Sequence, residues 1–285
     1  MNTLRRLSLL ALLLLSGHLP LTSRADDTPE SVNARLRAGT EVAWIIEDTL
    51  SADGDLAVLF TSRLKGTPPA AFPYLVTTGH FNPAATDAPA SHEGAQHAAL
   101  DPCTTQNIIV SLKSRRVLGR IPPGEEDESD VHFPGYNHRS LEALWLPAQA
   151  QASHRLVLLH YGGRFSTRDM LLIELSDQPL RQTSIASVLD ATATDYLKTA
   201  LKDRKDFPVE RFAIHYELKH VLPPDAAHRP GGPVKVIIEF TAEVPKSDTA
   251  PSFDAAMTVQ LQATAEKLSA QVLSIKASPA PTGRG

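Results

Sequence analysis

The segments FAIHYELK (212–219), VKVIIEFTA (234–242) and AAMTVQLQ (255–262) carry the clearest structural signal in the chain. In each segment apolar side chains occupy every second residue, and mostly polar side chains lie between them. This period of two is typical of strands in a sheet that buries one face and exposes the other. A fourth, weaker segment covers residues 267–276. The pattern predicts an antiparallel C-terminal meander with one apolar face.

The hydrophobic period changes just before the meander. Between residues 184 and 205, apolar side chains recur at steps of three and four, which is the spacing of an amphipathic helix. We expect this helix to cover the apolar face of the meander, because it is the nearest element with a matching apolar stripe. The Ala- and Pro-rich residues 278–285 after the meander are predicted to be disordered.

Short strands separated by turn residues are predicted upstream of the helix. Asp53 and Gly54 separate two apolar runs, and Asp-Gly is a strong hairpin signal because Gly accepts the positive φ of a tight turn. Residues 79–105 show almost no periodicity and predict a long loop. The strands of this region are predicted at 42–46, 56–60, 107–112, 116–119, 141–146, 155–161 and 170–175.

Several phrases in this region resemble the repeat unit of propeller-type proteins of the TolB and WD kinds. LSADGDLAVLF (50–60) is similar to the phrase that turns between the first two strands of such a unit. Residues 141–175 keep its Trp and Pro at Trp145 and Pro147 but lack the Asp-Gly turn, and residues 107–121 resemble the hairpin of these repeats. More loosely, the layout resembles secreted bacterial proteins of unassigned function. The resemblance implies a β fold and a binding role.

Chain length limits the propeller interpretation. A blade takes roughly 40–45 residues, and a propeller closes with at least four blades. The region between the first 25 residues and the predicted helix has room for three at most. The sequence therefore predicts a mainly β protein of the α+β kind. Partial-propeller-like or sandwich-like antiparallel hairpins (26–180) precede the helix and meander (181–277).

Residues 1–25 have the three-part layout of a secretory signal peptide. Arg5 and Arg6 precede an apolar run, and Ser23 and Ala25 occupy the −3 and −1 positions of a small-residue cleavage site. The apolar run is about nine residues long, whereas a membrane-spanning helix needs roughly 20. An uncleaved anchor is the alternative. We predict a periplasmic or secreted protein with no transmembrane segment after signal cleavage.

The charge balance argues against a nucleic-acid partner. Without residues 1–25 the chain has 25 basic and 32 acidic residues, a net charge of −7, and no long basic stripe. The single cysteine, Cys103, cannot form an internal disulfide. Asp101 and Pro102 beside it supply no cation that would make its thiol reactive. The sequence indicates no cofactor.

Three histidines form a candidate metal site in the predicted long loop. His80, His92 and His97 lie there with Glu93, and imidazole and carboxylate are zinc ligands. The phrase H-E-x-x-H is absent, because the histidine after His92 falls at 97 rather than 96. The spacing favours the alternative, which is a set of solvated loop histidines.

Two polar groups are candidate binding surfaces. Tyr136, Asn137, His138 and Arg139 follow an acidic loop, and such groups on a loop over a β scaffold are common in recognition surfaces. An ordinary polar turn is the alternative. The second group lies on the polar face of the meander, where residues of 215–219 are placed to meet residues of 235–241 across the sheet. This polar face is either a ligand-binding surface or an ordinary solvent-exposed face of a sheet.

The sequence contains no known catalytic phrase. A G-x-S-x-G elbow, a P-loop and a C-x-x-C pair are all absent. The sequence therefore favours a non-catalytic protein that binds an unknown envelope protein or ligand. The alternative is a metal-dependent or serine-type hydrolase that uses the loop histidines at 80, 92, 97 or 138. A third hypothesis is a structural envelope protein whose meander docks on a neighbour.

Overall fold

The computed structural model describes residues 28–63, 77–80, 106–121, 140–147, 155–163, 167–176, 180–204, 212–223, 232–243 and 252–278. Its strands are β1 (Glu41–Ile46), β2 (Leu56–Arg63), β3 (Thr77–His80), β4 (Gln106–Ser111), β5 (Arg116–Ile121), β6 (Ser140–Trp145), β7 (Arg155–Gly162), β8 (Thr167–Leu175), β9 (Arg181–Ser184), β10 (Ala213–Val221), β11 (Val234–Glu243), β12 (Phe253–Ala263) and β13 (Leu268–Ala277). Its helices are α1 (Pro29–Arg37) and α2 (Ala186–Ala200). The protein is mainly β, as predicted.

The strands form three antiparallel sheets. The N-terminal sheet has the order β3-β1-β2-β4-β5, the middle sheet β6-β7-β8-β9, and the C-terminal sheet β10-β11-β12-β13. The predicted hairpins and the four-stranded meander are all present. The prediction of a loop over 79–105 is wrong for residues 79 and 80, which belong to β3. This strand has no hydrophobic period, and its hydrogen bonds come from a partner distant in sequence, β1.

The middle sheet is buried on both faces. On β7, Leu156 and Leu158 pack toward the C-terminal sheet, whereas Val157 and Leu159 pack toward the N-terminal sheet. This is why β7 is a continuous apolar run, because a strand buried on both faces does not alternate. The three sheets are therefore stacked, with the middle sheet at the centre.

The two helices cover different sheets. α1 begins at Pro29, where the side chain of Thr28 caps the helix by accepting a hydrogen bond from the Ser31 amide. Its buried residues pack on the outer face of the N-terminal sheet. α2 buries Leu189, Ala193 and Leu197, one stripe at steps of four, in the same cluster as the apolar face of the C-terminal sheet. The predicted contact between helix and meander is confirmed.

Of the two predicted architectures, the stacked sheets match the sandwich-like one. In the described ranges the sheets lie face to face and form no propeller. The predicted boundary between residues 180 and 181 falls beside β9, which pairs with β8, and the division into domains stays a prediction. The predicted signal peptide (1–25) and residues 279–285 of the tail lie outside the described residues. Among the described helices, neither is long and apolar enough to cross a bilayer.

A part-buried hydrogen bond joins α2 to the C-terminal sheet. Tyr216 is 3% exposed, and its hydroxyl donates to Oδ1 of Asp190 over 2.8 Å. Burial raises the pKa of the Asp190 carboxyl above its ordinary value of 3.8, and the hydrogen bond from Tyr216 opposes this shift. The native state therefore holds a proton on Asp190 more readily than the unfolded chain does.

Asp190→Asn is expected to stabilise the protein, relative to wild type, more at about pH 7 than at about pH 4. The pKa of Asp190 is higher in the native state than in the unfolded chain. The wild-type protein therefore loses stability as the pH rises through the native pKa. The amide does not titrate and can still accept the hydrogen bond from Tyr216. Urea midpoints of both proteins at the two pH values measure the difference. Asp195→Asn, at an exposed site on the same helix, is the control, and an equal difference at both pH values would contradict the prediction.

Candidate functional site

The C-terminal sheet has an open face, on the side away from the middle sheet. It is formed by alternate residues from His215 to Lys219 on β10, from Lys235 to Glu243 on β11 and from Asp254 to Gln262 on β12. Along β11, fully buried residues alternate strictly with partly exposed ones. The strand period thus separates an apolar face, which joins the core, from a polar face that contacts solvent.

A half-open pocket of about 410 Å³ lies on the open face. The strand register places His215 beside Thr241 and Thr241 beside Asp254, while Glu217 lies opposite Glu239 in the next row. Ser278 follows β13, and its amide donates to the carbonyl of Asp254 over 2.8 Å. The polar side chains that line the pocket belong to His215, Glu217, Glu239, Thr241, Asp254 and Ser278.

Two glutamates face each other across the pocket floor. Like charges directly opposite on neighbouring strands destabilise a sheet, but the ammonium of Lys219 lies against both Glu217 and Glu239. It is 3.1 Å from Oε2 of Glu239. The hydrogen bond to Glu217, with a second to Glu239, raises the pKa of Lys219. All three side chains remain accessible to solvent, so this cluster contributes little to stability and can rearrange around a ligand.

The imidazole of His215 lies at one end of the pocket. Its Nε2 is buried and lies 3.2 Å from Oε1 of Glu243. Next to it, the hydroxyl of Thr241 donates to Oδ1 of Asp254 over 2.7 Å, which orients that carboxylate. The pocket therefore presents carboxylate oxygens as hydrogen-bond acceptors beside an imidazole ring.

The pocket is best suited to ligand groups that donate hydrogen bonds. Carboxylates accept only, and three of them line the site against one lysine, which is already engaged. Ammonium, amide N–H and hydroxyl groups match this lining.

A second polar cluster lies between the middle and C-terminal sheets. His160 is 4% exposed; its Nε2 lies 2.9 Å from Oγ1 of Thr167, and its Nδ1 lies 3.5 Å from Oε2 of Glu142. The amide of Tyr216 donates to the same Thr167 oxygen over 3.0 Å. The hydroxyl–imidazole–carboxylate order is that of a catalytic triad. Here, however, the hydroxyl oxygen already accepts a hydrogen bond from the Tyr216 amide on β10. We therefore interpret the cluster as a connection between the two sheets.

The site residues predicted from the sequence fall mostly outside the described ranges. This holds for Tyr136, Asn137, His138 and Arg139 and for His92 and His97. The backbone of His80 ends β3, where it pairs with Trp44. Among the residues that the structure describes, no group of three His, Cys, Asp or Glu side chains could hold a metal ion. Both candidate sites stay predictions.

The open face was predicted only in part. The sequence placed residues 215–219 opposite 235–241, and the register confirms this at His215 with Thr241 and at Glu217 with Glu239. The ion pair between Lys219 and Glu239 also crosses these two strands. The roles of Asp254 and Ser278 were missed. Asp254 begins the period of β12 and could have been assigned to the polar face, whereas Ser278 reaches the pocket only through the β12–β13 pairing.

No protein-family model, no curated protein and no solved structure matches this chain.

Proposed function

We propose that the protein is exported to the periplasm or secreted and acts there as a non-catalytic binding protein. The observation that carries the binding role is the pocket on the open face of the C-terminal sheet, lined by Glu217, Glu239 and Asp254 with His215. This surface differs from the inner faces of the three sheets, which pack on one another or on a helix. Export is supported by the signal-like composition of residues 1–25.

The partner is proposed to present hydrogen-bond donors to the pocket. Oxygens of the three pocket carboxylates accept such donors. The net charge of −7 for the chain without residues 1–25 also favours cationic or neutral ligands over anions. An amine-bearing or hydroxyl-rich envelope component has this chemistry.

The double variant His215→Ala/Glu239→Ala is expected to lose ligand binding by at least about tenfold. Wild type and variant are incubated with periplasmic extract, and the molecules that each retains are compared by native mass spectrometry. Both residues are partly exposed, so their loss leaves the fold intact.

The matched control is Thr258→Ala/Gln260→Ala, on the same face but outside the pocket lining. A ligand retained by wild type and by the control, and lost by the pocket variant, supports the proposal. Equal retention by all three proteins would place binding elsewhere. Export is tested separately by N-terminal sequencing of the protein recovered outside the cytoplasm, where Asp26 is the expected first residue.

The alternative is a hydrolase that uses the loop histidines. The described residues provide one feature in its favour, the order Thr167–His160–Glu142, although His160 is buried and the cluster joins two sheets. The histidines at 92, 97 and 138 lie outside the described residues. Binding is preferred as the function because it needs only the groups that the open face presents.

A further inference from the structure

β13 is an edge strand of unusual composition. It lies at the outer end of the C-terminal sheet, and within the described residues no strand pairs with its free side. Its ten residues include one charged side chain, Lys276, and one exposed large apolar side chain, Leu273, which is 43% exposed. Edge strands offer unpaired N–H and C=O groups to other chains, and proteins usually block them with several charges or with proline. This edge is only weakly protected.

The bulge in β13 determines which partner strand fits. Opposite β12, Thr258 pairs with Ser274 and Val259 pairs with Val272, so Leu273 is an extra residue. The alternation of open-face and apolar-face residues along β13 therefore shifts by one residue at Leu273. Ser274 and Lys276 share the open face with Gln271 and Ser269, whereas Val272 and Ile275 both lie on the apolar face.

We propose that β13 pairs with β13 of a second copy of this chain, about a two-fold axis between Val272 and Leu273. In this register all ten residues are paired: Leu268 lies opposite Ala277, and Ser269 lies opposite Lys276. In a regular strand such an axis would set solvent-facing residues against buried ones. In β13 the extra residue shifts the alternation by one. Open-face residues of one copy therefore pair with open-face residues of the other.

Charge and hydrophobicity agree with self-pairing. The two copies of Lys276 lie at opposite ends of the new ladder, roughly 23 Å apart at 3.3 Å per residue, so like charges do not meet. Leu273 of each copy lies beside the axis, where its exposed apolar surface is covered by the other copy. The result is an isologous dimer in which two four-stranded sheets become one of eight strands.

The pairing is tested by the mass of the purified protein in solution, measured by sedimentation equilibrium up to a concentration on the order of 100 µM. Wild type is expected to show twice the mass of one chain. Leu273→Lys brings two ammonium groups to the axis and is expected to raise the dimer dissociation constant at least about tenfold. Leu118→Lys is the matched control, because Leu118 is 40% exposed on β5, the edge strand of another sheet. It is expected to leave the mass unchanged.

A second pair of variants tests the register itself. Ser269→Glu places a carboxylate opposite Lys276 of the second copy and is expected to lower the dissociation constant, whereas Ser269→Lys is expected to raise it. Circular dichroism confirms that each variant is folded. If wild type has the mass of a single chain, the proposal is wrong. The free edge of β13 would then be available to pair with an extended segment of another protein. A dimeric mass that neither Leu273→Lys nor Ser269→Lys reduces overturns the proposal as well.

Discussion

Phe60→Ala is expected to lower the free energy of unfolding by about 3–5 kcal/mol. Phe60 is fully buried between the N-terminal and middle sheets, and its ring centroid lies 5.7 Å from that of Trp44. Removing the ring takes apolar surface out of the core and leaves a cavity that two packed sheets cannot close. Urea denaturation followed by tryptophan fluorescence measures the loss, because Trp44 and Trp145 both pack against this cluster.

Two controls separate the cavity from other effects. Phe60→Leu keeps part of the volume and is expected to cost less than alanine. Leu118→Ala, on the exposed edge of the same sheet, is expected to change stability by less than about 0.5 kcal/mol. A cost below about 1 kcal/mol for Phe60→Ala would show that the N-terminal and middle sheets do not pack through this residue.

Arg35→Met is expected to cost about 3–5 kcal/mol near neutral pH. Arg35, on α1, donates from Nε to Oε2 of Glu41 over 2.6 Å, and the Glu41 side chain has no exposed surface. Thr61 and Gln106 donate to the other oxygen over 2.7 and 3.3 Å, but both donors are neutral. Without the guanidinium, a carboxylate is left buried and uncompensated. Methionine keeps the apolar stem, so the loss reports on charge rather than on packing.

A double variant tests whether the loss comes from the unpaired charge. The double variant Arg35→Met/Glu41→Gln is expected to be more stable than Arg35→Met alone, because no charge then remains unpaired. Urea denaturation of wild type, the two single variants and the double variant gives the coupling free energy between Arg35 and Glu41. If the losses of the single variants add up to that of the double variant, the two side chains do not interact.

Local patterns were sufficient to predict most strands. The alternation in β10, β11 and β12 requires only that one face be apolar, and Asp53-Gly54 marks a turn by its own backbone preference; Gly54 has a φ of +66°. Strands β3 and β9 are four residues long and lack a period, so their formation depends on distant partners. Such strands carry no local signal that a sequence pattern could reveal.

The candidate site was less predictable than the fold. The polar faces of β10 and β11 follow from alternation, which places His215 and Glu217 on one side. The pocket also requires Asp254 and Ser278, whose positions depend on how β12 pairs with β11 and β13. The triad-like cluster spans three strands of the middle sheet, with Glu142 on β6, His160 on β7 and Thr167 on β8, and no spacing in the sequence indicates it.

The amino-acid order alone was enough for the β class, the hairpins, α2 and the polar face of the meander, because each depends on the period and turn chemistry of neighbouring residues. The stacking of three sheets, the burial of Glu41 and His160 and the pocket on the open face depend on contacts between residues far apart in the chain. These contacts are set by strand register and by packing between sheets. They become favourable only when the whole core is assembled, so no single segment of the sequence indicates them.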